Sequence, residues 1–392
     1  MTGLASAPPL RTLVRELRDR EFPWTAATTY LNNASIGPIP ERTRLVLDAF
    51  NARRTAPHLL PDRDLYGGLD EARAAAARFI GATPEEIALV PNTSVGINVA
   101  AGALPLRPGE TVLVSDREFP ANVYPWLSLR RRGIEVELAP VTPAGFPDED
   151  YLVERLGDPR VRVLAVSFVQ FSNGFRADLQ RLSAACRASG ATLVVDAIQG
   201  LGNSVLDVRR AGVDILATGA QKWLLSPWGA GFCYVRSELL AQLRPAAVGW
   251  RSFEGTDDVT NLVKYGDALL GDGRRFEVGT MPFQDMLGMT TSLGLLAELT
   301  VEAIAGYVRA LGEPVLRWAR EKEVRVVSPL DDLHRSAIVC VAPDDAREAH
   351  RRLRAAGVVC ALREGAIRLS PHCYNTIEEM EKVVEVLDDA VS

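Results

Sequence analysis

Paired cysteines, long apolar runs and an excess of positive charge are all missing from this sequence. Its five cysteines (Cys186, Cys233, Cys340, Cys360, Cys373) are odd in number and scattered, with no C-x-x-C spacing. That argues against a disulfide framework or a structural metal site and predicts a reducing, cytoplasmic setting. No apolar run approaches the roughly 18 residues of a membrane span. In the opening stretch, MTGLASAPPLRTLVRELRDREF, the basic residues follow the short apolar part, so it does not read as a signal peptide. With 50 acidic against 44 basic residues the net charge is −6, which leaves no footprint for nucleic acid or an anionic membrane. Internal repeats and low-complexity tracts are lacking as well.

What is present is an ordinary globular composition, 47% apolar and 24% charged, which excludes intrinsic disorder. At roughly 150 residues per domain the 392 residues predict two or three domains, with ample material for a core. Amphipathic helices are expected at Leu10–Arg20, from Glu41, and at Leu69–Ile80, with a short extended piece at Thr28–Asn32. Thr83-Pro84-Glu85-Glu86 has the form of a capping box with proline at the first helical position.

A repeating pattern follows. Strand-like apolar runs occur at Ile87–Val90, Thr111–Ser115, Ile134–Leu138, Val163–Phe168, Thr192–Asp196, Ile215–Thr218 and Phe232–Val235, mostly separated by helical patterns. The alternating run IEVEL at Ile134–Leu138 is expected at a sheet edge. Such alternation predicts an α/β fold with a mainly parallel sheet between helices. Val248–Thr280 is glycine-rich and charged, a lid or an interface segment. The tail carries helices at Gln284–Leu299, Glu313–Lys322, Asp345–Ala356 and Ile377–Val391. Strands are expected at Val324–Val327, Ala337–Val341, Val358–Leu362 and Ala366–Ser370. The expected division is an N-terminal segment, 1–54, packing with the small domain; a large domain, 55–285; and a linking helix with a small C-terminal α+β domain, 286–392.

Two stretches carry chemistry. LVVDAIQG ends a strand in Asp196, and in an open α/β sheet ligands bind beyond the carboxyl ends of the strands. Asp196 could equally start a turn or cap a helix. Gly200-Leu201-Gly202 hints at a dinucleotide turn, but the third glycine is replaced by Val205. TGAQKWLLSPWGAGF sets Lys222 among apolar and small neighbours just after a strand. A desolvated lysine has a lowered pKa and becomes a usable amine nucleophile. An acid and a lysine on neighbouring strand ends suit pyridoxal 5'-phosphate, which needs an amine for its aldehyde and a carboxylate for its ring nitrogen.

The chain resembles the class V aminotransferase family of fold-type I pyridoxal-phosphate enzymes. That family includes cysteine desulfurases, isopenicillin N epimerase-like proteins and kynureninase. The resemblance runs from YLNNASIGPIP at Tyr30 to RLSPHCYNT at Arg368. It implies Lys222 as the Schiff-base lysine, Asp196 as the ring-nitrogen partner and Gln199 as donor to the phenolic oxygen. NTSVGIN matches the phosphate turn, with Thr93, Ser94 and the N–H groups near Val95 at a helix start; plain N-capping is the other use of these residues. Phe119 would lie against the ring, Asn122 would add a polar contact, and Gln221 stands where a phosphate-binding histidine is common. RRFEVGT resembles the loop that crosses to a partner subunit, so Thr280 would touch the other protomer's phosphate and a homodimer is implied. Arg368 would fork onto the substrate carboxylate, with Asn33, Ser35, Trp250, Arg251 and Arg363 as candidate pocket walls. Arg363 could bind a second carboxylate or form a structural ion pair.

The resemblance implies an enzyme that deprotonates an amino acid at Cα through Lys222, of aminotransferase or epimerase type. A cysteine desulfurase or C–S lyase is the alternative, and a catalytically silent scaffold the third. A desulfurase needs a mobile cysteine before Arg368. Cys360 stands eight residues before it in an apolar strand pattern, and Cys373 lies beyond it.

Overall fold

The computed structural model describes residues 10–391; the first nine positions of the expected N-terminal segment lie outside the described residues. The central sheet has seven strands: β2 (Ile87–Leu89), β3 (Thr111–Ser115), β4 (Glu135–Ala139), β5 (Val161–Ser167), β6 (Thr192–Asp196), β7 (Ile215–Gly219) and β8 (Gly231–Val235). Their order is β2-β8-β7-β6-β5-β3-β4. Strands β7, β6, β5, β3 and β4 are mutually parallel, while β8 runs antiparallel between β2 and β7. The fold is α/β with a mainly parallel sheet, as expected.

Burial explains why these runs became strands. Strands β3, β6, β7 and β8 are buried along almost their whole length, covered on both faces, and so read as continuous apolar runs. In β4 only Val136 and Ala139 are buried while Glu135 and Leu138 are exposed, and β4 is indeed at the edge. The Thr83 motif does not open a long helix. Glu86 accepts the Thr83 N–H at 3.0 Å across a single 3-10 turn, Pro84–Glu86, which leads straight into β2. The helical pattern between β3 and β4 is broken into Tyr124–Leu127 between two 3-10 turns.

The C-terminal sheet contains β9 (Arg325–Val326), β10 (Val339–Ala342), β12 (Ala361–Arg363) and β13 (Ala366–Leu369), in the order β12-β13-β10-β9. The single strand expected at Val358–Leu362 is split. β11 (Val358–Val359) instead pairs in parallel with β1 (Thr29–Tyr30), and Cys360 sits at the change of partner. Helix Leu10–Glu21 is tied to the C-terminal part by Arg18, whose Nη1 donates to Tyr374 O at 2.7 Å and pairs with Glu379 at 3.0 Å. Helix Glu41–Arg54 joins Phe283–Leu299 through Thr43 Oγ1 and Ser292 Oγ at 2.8 Å. The helix expected at Glu313–Lys322 is longer, Val301–Glu321, with Pro314 inside it.

Candidate active site

Topology gathers the site at one edge. Asp196 ends β6, Gly219 ends β7 and Ser167 ends β5; Glu118 follows β3, and Thr93 follows β2. All of them leave the sheet at the carboxyl edge of the parallel strands, where open α/β sheets bind ligands. Ser167 and Asp196 are direct neighbours across β5 and β6.

Asp196 is 2% exposed. Its Oδ1 accepts the Ile198 N–H at 3.0 Å, and that is its one hydrogen bond. Burial pushes the carboxyl up to about 6, against the opposing pulls of that N–H and of Lys222. Lys222 is half-buried; burial lowers its amine to about 8, opposed by Asp196 and aided by the nearby positive charges of Arg368 and Arg363. The Lys222 ammonium lies 5.5 Å from the centre of the Phe119 ring, and that ring meets Phe171 edge-on at 5.3 Å.

The Lys222 turn is clamped from the N-terminal segment. Gly37 N donates to Gln221 O at 2.9 Å, and a Cβ on Gly37 would stand 2.0 Å from the Lys222 carbonyl oxygen. Only a residue without a side chain permits that approach. Trp223 Nε1 donates to Gln199 Oε1 at 2.9 Å, and Gln199 Nε2 donates to Ala34 O at 2.9 Å. Gln199 keeps one amide N–H. His372 is fully buried, its Nε2 3.0 Å from Trp223 O, which ties the C-terminal RLSPHCYNT stretch to the same turn.

At the other end of the rim, helix Thr93–Ala103 is capped by Asn92, whose Oδ1 accepts the Val95 N–H at 3.0 Å. The cap is therefore Asn92 rather than Thr93 or Ser94, and the Val95 N–H is already engaged. Thr93 Oγ1 accepts Gly219 N at 2.8 Å, which fastens the helix start to the end of β7 and leaves the hydroxyl proton free to donate. Ser94 is exposed. Gln221 packs its amide against Gly219, and its buried Oε1 has no hydrogen-bond partner.

Arg368, in the middle of β13, is 2% exposed. It donates to Phe171 O at 2.7 Å and to Ser35 Oγ at 2.8 Å, while its Nε is buried without a partner. No carboxylate among the described residues pairs with it. Burial and Arg363 pull it down to about 10.

Some expected residues are placed otherwise. Asn33 is fully buried and spent: Nδ2 donates to Ser370 O at 2.8 Å and Oδ1 accepts from Tyr374 Oη at 3.0 Å. It staples the N-terminal segment to the end of β13 instead of facing a substrate; its neighbour Asn32 has the buried oxygen without a partner. Asn122 bonds Glu118 at 3.2 Å and Trp126 at 3.3 Å. Arg251 lies 4.0 Å over Tyr66 and 5.4 Å from the Trp250 ring, and pairs with Asp257 at 2.7 Å. Thr280, expected at a partner's phosphate rather than at this chain's own, is exposed and lines a groove with Phe50, Met281 and Phe283. Arg363 is exposed, with no ion pair among the described residues. Cys360 and Cys373 are buried, and burial pushes both thiols up, Cys360 to about 12.

Missed by the sequence reading were Glu118, Gln170 and Ser167. Glu118 is 5% exposed and accepts from Ser167 N at 2.7 Å, Gln170 Nε2 at 2.5 Å, Asn122 and the Ser167 hydroxyl. An acid in a loop ordinarily reads as a solvated charge.

The residues fit pyridoxal phosphate. A softened amine lies near an aromatic ring and is electrostatically coupled to a buried carboxylate with an uncommitted oxygen, and a helix start capped by Asn92 closes the far end. Residues 47–383 match the aminotransferase class-V family. The chain belongs to that family. It is 31% identical over 314 residues to an uncharacterized aminotransferase of Bacillus subtilis, covering 80% of this chain and 81% of that one. It is 30% identical over 375 residues to isopenicillin N epimerase of Streptomyces clavuligerus, covering 91% and 94%. A probable cysteine desulfurase of Methanothermobacter thermautotrophicus is also 30% identical, over 94% of this chain and 96% of that one. Among solved structures, cysteine desulfurase from Thermococcus onnurineus superposes with a TM-score of 0.86 at 22% identity, over 99% of each chain. The class-V chain is therefore a pyridoxal-phosphate enzyme of amino-acid chemistry, and among its described residues no helix is long and apolar enough to cross a membrane.

Proposed function

We propose that this class-V enzyme binds an amino acid by its α-carboxylate at Arg368 and deprotonates it at Cα with Lys222, in an aminotransferase- or epimerase-type reaction. The observation that carries the reading is Arg368: a guanidinium 2% exposed, with no acid paired to it among the described residues and an unused Nε, electrostatically coupled to Lys222. A buried cation without a counter-ion is costly unless a ligand supplies the anion, and a planar fork suits a carboxylate.

Pyridoxal phosphate, when bound, supplies an aldehyde for amines and a ring that accepts the electrons of a broken Cα–H bond. Asp196 would hold the proton on the ring nitrogen, its carboxylate being buried and short of partners. Phe119 would cover one ring face. Thr93, Ser94 and Gln221 would hold the phosphate, with Gln199 donating to the phenolic oxygen. Lys222 Nζ would take the Cα proton, an amine lowered to about 8 being suited to general-base work near neutrality. Ser35 braces Arg368 and keeps the fork in place.

A persulfide-forming desulfurase is the poorer reading. Cys360 is buried where β11 gives way to β12, with a thiol that burial holds protonated. The C–S lyase reading needs no such cysteine; a cystine C–S lyase shares the fold, with a TM-score of 0.84 at 23% identity over 94% of this chain and 99% of that one. The unpaired cysteines support a reducing cytoplasm. Exposed Thr280 and the apolar residues of Val248–Thr280 support a homodimer in which Thr280 reaches the partner's site.

The test is an amino-acid panel scored by the spectral shift of the bound cofactor. Arg368→Lys should keep the visible band and lose the response to α-amino acids; a full response in that variant overturns the assignment. Cysteine-dependent sulfide release that vanishes in Cys360→Ala would move the enzyme to the desulfurase branch.

A further inference from the structure

Glu118 is used by nothing in that scheme, yet the chain goes to some length to bury it. Arg117, just before it, has φ of 60°, a left-handed conformation that a side-chain-bearing residue adopts at a cost. The turn sends Glu118 inward and leaves Phe119 facing Lys222. The four hydrogen bonds at the Glu118 carboxylate all come from donors: Ser167 N, Ser167 Oγ, Gln170 Nε2 and Asn122 Nδ2. A shell made only of donors suits an ionised, acceptor-only carboxylate. No cation pairs with it among the described residues. The two Ser167 donors belong to the residue directly opposite Asp196 across the β5–β6 ladder. A plain packing role would be filled more cheaply by a neutral side chain.

We propose that Glu118 is a positioning residue that sets Phe119 and Ser167 and places a second negative charge behind Asp196, strengthening the site's hold on protons at the atoms facing Asp196 and Lys222. The proposal rests on the reading above, that pyridoxal phosphate lies between these two residues. Asp196 faces Glu118, Lys222 faces Asp196, and Arg368 and Arg363 act on Lys222 in turn. Burial, with Asp196 adding to it, pushes Glu118 up to about 7, so it is about half ionised at neutrality and its charge becomes complete above it.

The experiment follows the visible absorbance of the pyridoxal-phosphate-loaded protein across pH. In Glu118→Gln the pH at which the visible band gives way to the near-ultraviolet one should fall by about half a unit or more, since removing a nearby negative charge weakens proton binding. Glu118→Asp should restore most of the difference. Ser167→Ala removes one donor, lets Glu118 keep its proton to higher pH, and should shift the midpoint the same way by less; it decides the matter if Glu118→Gln does not fold. Variants that load and titrate at the wild-type pH overturn the proposal and leave the cofactor reading intact. A wild-type protein with no visible band overturns the cofactor reading itself.

Discussion

The rim around Asp196 and the segment between Val248 and Thr280 handle their awkward groups in opposite ways. At the rim, polar and charged side chains are buried and tied to one another within the chain: Gln199 to Ala34 and Trp223, Glu118 to four donors, Thr93 to Gly219. In the long segment the awkward groups are apolar and lie outside. Val263 is 78% exposed and Tyr265 89%, with Val259, Leu262 and Val278 exposed nearby. A single chain therefore builds the floor of the site completely but leaves a flank that water solvates poorly. The contrast supports a site finished by a second copy, with Thr280 carried by the uncovered flank.

The contrast breaks first at Gly37, where the rim has no slack. Its missing Cβ lets the N-terminal segment touch the Lys222 carbonyl, a backbone atom that no rotamer change can move aside. Gly37→Ala should cost about 2–4 kcal/mol of stability and weaken cofactor loading. Denaturant unfolding and the visible absorbance of the purified variant check it; wild-type stability with full loading would mean that the clamp yields freely.

At the flank the expected effect is on assembly rather than on folding. Val263→Asp together with Tyr265→Asp adds charge to an exposed surface and should change unfolding by no more than about 0.5 kcal/mol. If the flank joins two copies, sedimentation should show the double variant shifted to half the wild-type mass, with cofactor retention impaired. An unchanged mass would mean that the segment covers something else.

How much of this was legible depended on whether a residue's environment was local. The sheet could be read because buried parallel strands show as apolar runs, and the edge position of β4 because its two glutamates cannot be covered on both faces. Lys222 and Asp196 could be read because each ends a strand. Glu118 was hidden because its partners Ser167 and Gln170 come from another strand end about fifty residues away. Asn33 reads as a substrate contact because nothing nearby in sequence reveals that Ser370 and Tyr374 already hold it. The same holds for Val358–Leu362, whose apolar run is continuous while its pairing partner changes at Cys360.

The smallest expected effect sharpens the contrast by asking what the rim costs before it is loaded. Lys222 has an amine lowered from 10.5 to about 8 by burial, so the folded chain resists its charge. Below about pH 8 the amine is protonated in both folded and unfolded chains, and the folded chain bears the full penalty. Between about 8 and 10.5 only the unfolded chain keeps the proton, so it binds more protons than the folded one and wild-type stability rises with pH across that window. Lys222→Met has no such dependence. In the unloaded protein it should be more stable than wild type by about 1 kcal/mol at neutral pH, after discounting for the side chain's partial exposure. The advantage should shrink steadily toward pH 10.5. Urea unfolding of both unloaded proteins across that range measures the gap. A gap that stays constant with pH would come from packing alone, and the lysine would then be no more strained than a surface residue of the open flank.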